Sequence, residues 1–196
     1  MDGLLQTLIP LLAGDTLSGI SEQLGVDKNK TQQAITLALP LLIGALNRNA
    51  STSDGAQALT GALQRDHNGS ILEDLLGNLS KKKTVDNGSA ILGHIFGDKR
   101  SGFEQNISRT SGLDLETTVQ LLSMLAPVVL GVLGQIKHKQ SMDPQGVTSL
   151  LQIERQTAES AVPGLAKFLD MDGDGDITEE VISLGANLLS SFLSKK

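Results

Sequence analysis

The chain has 196 residues, of which 39% are hydrophobic and 19% charged, with 21 glycines and a net charge of -6. That is enough apolar sequence to bury a core unaided, and with no cysteine there is no disulfide framework, thiol nucleophile or cysteine-held zinc. Four Phe and no Tyr or Trp, on an acidic chain, argue against a nucleic-acid surface, which relies on stacking rings or clustered cations.

Residues 1–14, MDGLLQTLIPLLAG, open with Asp2 and carry no Lys or Arg ahead of the apolar stretch. A secretory leader needs a basic start, so this segment reads as a first helix. Apolar residues then recur at three- and four-residue steps with no strand-like alternation, which predicts helices throughout. Gly25 and Gly112 stand where helices should stop, and Asp27 and Asp114 are N-caps for long helices over about 28–48 and 115–138. Ser70-Ile71-Leu72-Glu73 has the form of a capping box, and Asp143-Pro144 that of a cap followed by a first-turn proline. The longest apolar runs, 34–46 and 119–136, are broken by Pro, Gly or hydroxyl residues. They fall short of the roughly 18–20 uninterrupted apolar residues of a spanning helix. The expectation is a soluble, cytoplasmic protein.

The chain also repeats itself. Shifted by 87 positions, residues 20–46 align with 107–133, and nine of the 27 pairs are identical, including Gly25/Gly112, Asp27/Asp114, Pro40/Pro127 and Gly44/Gly131. Shifted by 106, residues 64–75 align with 170–181 and match at Asp66/Asp172, Gly69/Gly175, Ile71/Ile177 and Glu73/Glu179. The predicted architecture is therefore all-α, a pseudo-two-fold helical bundle of two repeats, 2–80 and 86–194, joined by a basic linker at 81–85. Each half contributes a long buried helix, apolar nearly all round and kinked at its proline, with a hydroxyl (Thr36 or Ser123) one turn before to satisfy a neighbouring carbonyl.

One segment carries specific chemistry: Asp170-Met171-Asp172-Gly173-Asp174-Gly175-Asp176-Ile177-Thr178-Glu179-Glu180. Carboxylates at alternate positions converge on one hard cation, Gly at position 6 permits the sharp turn, and Ile177 anchors the loop. Four aspartates within seven residues repel one another unless a cation neutralises them. The loop resembles the EF-hand calcium loop over its first eight or nine positions. The bidentate Glu of position 12 is replaced by Val181, and the acids fall at Glu179 and Glu180, closer to the shortened Excalibur type. The candidate calcium ligands are Asp170, Asp172, Asp174, Asp176 and either Glu179 or Glu180. The first-half counterpart, 64–74, lacks an acid at position 1, has Arg65 beside it, and reads as a degenerate loop without metal.

Taken in order, the segments Ser21-Glu22-Gln23-Leu24-Gly25-Val26, Leu39-Pro40-Leu41-Leu42-Ile43-Gly44-Ala45-Leu46-Asn47-Arg48-Asn49, Gly93-His94-Ile95-Phe96-Gly97 and Leu125-Ala126-Pro127-Val128-Val129-Leu130-Gly131 resemble the bacterial family known as domain of unknown function 937. The Asp-rich loop completes the pattern. The resemblance implies a bacterial, largely helical protein and no particular activity.

His67, His94 and His138 lie far apart, without metal-ligand spacing. His94 interrupts an apolar turn and reads first as a hydrogen-bonded core histidine. The preferred functional reading is a non-enzymatic interaction or scaffold module that holds one structural Ca2+ and has an unknown protein partner and no nucleic acid. Two alternatives are an enzyme with a site between the repeats near His94 and a membrane-associating helical protein.

Overall fold

The fold is that of a computed structural model, which describes residues 3–161. Nine α-helices occupy these residues: α1 Leu4–Leu11, α2 Gly14–Leu24, α3 Lys28–Asn49, α4 Ser53–Arg65, α5 Leu75–Leu79, α6 Lys82–Phe96, α7 Arg100–Ser111, α8 Leu115–Lys139 and α9 Pro144–Ala161. Single 3-10 turns lie at Ser70–Leu72 and Gly97–Lys99, and the described residues contain no strand.

Local chemistry sets most helix ends. Gly25 (φ +67°) and Gly112 (φ +70°) take the left-handed conformation that ends α2 and α7. Asp27 then accepts from the Asn29 N–H at 2.8 Å and starts α3. Asp114 accepts from the Thr117 N–H at 2.9 Å and the Thr117 hydroxyl at 2.7 Å and starts α8. Those bonds from Thr117 hold the Asp114 carboxyl below its ordinary range. Asp143 accepts from the Gly146 N–H at 2.8 Å ahead of Pro144, the first residue of α9.

One local expectation gives way to tertiary packing. Ser70 does not open an α-helix through a capping box. Gly69 (φ +100°) leads into one 3-10 turn, and α5 begins later, at Leu75, where Asp74 accepts from the Gly77 N–H at 3.1 Å. The cause is the docking of Ile71, whose methyl fills the space that a Cβ on Gly131 of α8 would need. The basic stretch 81–85 is helical from Lys82 on, with Lys81 as the cap of α6 and Lys82 and Lys83 exposed in its first turn.

The core is centred on α8, which is buried continuously from Leu121 to Gly134. Its broadest contact is with α6, and α1, α2, α3, α4, α7 and the Ser70–Leu72 turn also lie against it. The second long helix, α3, touches α8 but packs more broadly on α9. Fully burying each Leu, Val or Ile here contributes about 1.5–3 kcal/mol, which is what holds short helices such as α1 and α5 in place. By length and composition α8 would also suffice to cross a membrane, contrary to the expectation from its interruptions. In the fold most of that stretch is covered by other helices.

Both long helices run on through their prolines, Pro40 and Pro127. Each proline lacks the N–H that would bond the carbonyl four residues earlier. The Thr36 hydroxyl donates to the Gln32 carbonyl and the Ser123 hydroxyl to the Val119 carbonyl, both at 2.8 Å. The Ser123 carbonyl freed by Pro127 faces Gly88 of α6, at which any Cβ would collide with it. Glycine at 88 therefore lets two helix backbones meet at the one point where α8 has a carbonyl to spare.

Polar contacts also tie the helices together. The buried Glu154 carboxylate on α9 accepts from the Leu4 and Leu5 N–H groups at 2.9 and 3.1 Å, capping α1, whose own cap residue Gly3 has no side chain. Arg100 donates to the Ser89 carbonyl at 2.8 Å and to Glu104 at 2.6 Å, tying α6 to α7 beside the stacked Phe96 and Phe103 rings.

Gly88→Ala should destabilise the protein by about 3 kcal/mol in urea unfolding, as expected for overpacking against backbone. Gly61→Ala, in α4 with open space around it, should stabilise by about 1 kcal/mol. Glu154→Ala should cost about 2–3 kcal/mol, since it strands two N–H groups of a buried helix start, and Glu154→Gln should cost less.

Candidate functional site

The predicted calcium ligands Asp170, Asp172, Asp174, Asp176, Glu179 and Glu180 lie outside the described residues. Among the described residues, no group of three or more His, Asp or Glu side chains is gathered to hold a metal ion, and this includes the loop at 64–74.

That first loop is instead a docked structural element. It begins where α4 ends at Arg65. The Asn68 side chain accepts from the Ser70 N–H at 3.1 Å, and Asn78 of α5 donates to the Ile71 carbonyl at 3.0 Å. On the α8 side, Gly131 receives the Ile71 methyl, and Gly134 lies so close to the His67 carbonyl that no Cβ would fit. Two glycines one helical turn apart thus make a flat landing site for the loop.

His67 is the buried histidine, 8% exposed. Burial pushes its pKa below the ordinary 6.5, opposed by the neighbouring Asp66 carboxylate, so the imidazole is neutral at pH 7. His94 is exposed, contrary to the core role expected of it. Its neighbours Ile91, Leu92, Ile95 and Phe96 form the inner face of α6, which turns residue 94 outward. His138 is exposed in the last turn of α8. The sequence reading missed His67. The available signal was its place between an aspartate and an Asn-Gly turn, four residues before the apolar anchor Ile71.

Clefts flank the loop on both sides. One, of about 410 Å3, lies between the loop and the start of α6, lined by Asp66, His67, Ser70, Lys83, Thr84 and Asn87, with Pro127 also on its wall. The other, of about 730 Å3, lies towards the end of α8, with Gln64, Asn68, Glu73, Gln135, Lys137 and His138 on its walls. Gly69 and Ser70 border both.

The described helices form an all-helical bundle with two of its clefts on either side of one docked loop. The family model described as "Bacterial protein of unknown function (DUF937)" matches residues 6–136, and the chain belongs to that family. Neither the curated proteins nor the solved structures yield a match. The matched span contains the first loop and nearly all of α8 but stops short of α9 and of the Asp-rich loop, which is thus no part of the family match.

Because the folded state disfavours protonated His67, the unfolded chain binds the proton first as pH falls. Stability should be complete above about pH 6.5 and decline as pH drops towards the lowered folded-state pKa. Urea midpoints measured from pH 7.5 to 5.5 should fall less steeply in His67→Gln than in the wild type. An unchanged slope in His67→Gln would contradict this assignment.

Proposed function

We propose that the protein is a non-enzymatic interaction module whose C-terminal segment holds one structural Ca2+ through Asp170, Asp172, Asp174 and Asp176, with Glu179 or Glu180 closing the site. The observation that carries this reading is the sequence Asp-x-Asp-x-Asp-Gly-Asp-Ile, in which oxygen donors alternate ahead of the turn-forming Gly175 and the apolar anchor Ile177. The reading extends to the internal repeat: the first half would have lost its metal and kept the turn as a loop docked on α8, and the second would have kept the acids. The 87-residue shift supports it, together with the shared order of left-handed glycine, aspartate cap and proline-bearing helix in α2–α3 and α7–α8. The ion would anchor the chain shortly after α9, the helix that Glu154 ties to α1.

Thermal unfolding by far-ultraviolet circular dichroism tests this reading in a chain without Trp or Tyr. With a site of about 0.1–1 mM affinity, calcium at about 10 mM should raise Tm by roughly 3–10 °C over chelator, with a smaller rise in magnesium. Asp170→Ala and Asp174→Ala should remove the rise without lowering the Tm measured in chelator. A calcium response that persists in both variants, or its absence from the wild type, would overturn the reading.

A further inference from the structure

The cleft of about 410 Å3 beside the first loop is at the small end of ligand-binding cavities. At one end it is bordered by Lys83 and Thr84 in the first turn of α6. That turn has no side-chain cap. The Thr84 and Val85 N–H groups bond to the Lys81 carbonyl, and the Lys82 and Lys83 N–H groups have no partner among the described residues. A 15-residue helix thus presents free N–H groups, the positive end of its dipole and the Lys83 ammonium together, while Asn87 one turn on adds an amide.

The other end carries an independent observation. His67 lines the same cleft, is more than nine-tenths buried, and its imidazole makes no hydrogen bond to any described residue. No sealed side-chain nitrogen or oxygen among the described residues lacks a partner, so the unbonded imidazole nitrogens open into the cleft. Open to the cleft, those nitrogens are served by water, whose place a ligand hydroxyl can take. Asp66 stands beside it. An anion is therefore favoured at the α6 end, and a hydrogen-bond donor is favoured at the Asp66 and His67 end, where a carboxylate and a neutral imidazole both accept.

We propose that this cleft binds a small hydroxylated phosphate ester, its phosphate at the first turn of α6 on Lys83, Thr84 and Asn87 and its hydroxyls on His67 and Asp66. The site goes beyond the calcium reading and shares no residue with it. Such a group belongs equally to a free polyol phosphate and to a glycerophospholipid headgroup, and the two are separated by the probes used.

The test is titration calorimetry of the full chain in chelator with glycerol 3-phosphate, next to sodium chloride at equal ionic strength and sedimentation with phosphatidylglycerol vesicles. Saturable glycerol 3-phosphate binding without vesicle binding assigns a free ester, and vesicle binding assigns a headgroup. In either case Lys83→Glu should weaken binding at least tenfold. Lys28→Glu, an exposed charge change at the start of α3, should leave it unchanged. Asn87→Ala, also exposed, should weaken binding several-fold, giving a second readout should Lys83→Glu perturb folding. In a His94→Gln/His138→Gln chain, where His67 is the single histidine, its imidazole nitrogen signals should shift with the same midpoint. Failure to saturate by about 10 mM, equal loss in Lys28→Glu, or an unmoved His67 signal would overturn the proposal.

Discussion

A helix with no polar side has to be covered on every side, and α8 is such a helix from residue 121 to 134. The rest of the fold follows from that need. Long helices alone would not bring enough backbone close to it, so the covering is done at positions without side chains. Gly88 lets α6 lie against the Ser123 carbonyl, Gly131 takes the Ile71 methyl, and Gly134 takes the His67 carbonyl. Pro127 and Gly88 work together: the proline frees a carbonyl, and the glycine brings a neighbouring backbone to it.

The same packing explains where the polar features collect. The first loop is pinned to α8 at two glycines, by the Ile71 methyl at Gly131 and the His67 carbonyl at Gly134, which leaves hollows along both of its edges. Folding the loop inward buries His67 and holds it neutral, while the start of α6 is left without a cap at the edge of one hollow. At the opposite end of the described chain, Glu154 caps α1, so the helix preceding the Asp-rich segment is fastened to the beginning of the bundle.

What was legible in the sequence was local. Asp27, Asp114, Gly25, Gly112 and Asp143-Pro144 act within a few residues of themselves, and they marked α3 and α8 to within about one residue of Lys28–Asn49 and Leu115–Lys139. What was misread was decided at long range. Ser70–Glu73 has the composition of a capping box, yet Ile71 is held by Gly131, sixty residues away. The lysines at 81–83 are exposed, as a solvated stretch should be, and what periodicity did not show is that they open a helix whose inner face, Gly88, Ile91, Leu92 and Ile95, is drawn onto α8. His94 points outward and His67 is buried because one residue's place on a helix face, and one loop's direction of folding, depend on neighbours that periodicity does not name. The candidate metal site was legible as chemistry alone, through the spacing of Asp170, Asp172 and Asp174.

By composition α8 would also suit a membrane, yet in the fold it is the enclosed post on which the other helices stand. Native-state hydrogen exchange in aqueous buffer without lipid addresses this directly. Amides from Leu121 to Leu133 should exchange only through global unfolding, with a free energy equal to that from urea, while α5 and the 70–72 turn open more easily. Rapid exchange along α8 without lipid, with protection appearing only when vesicles are added, would contradict it.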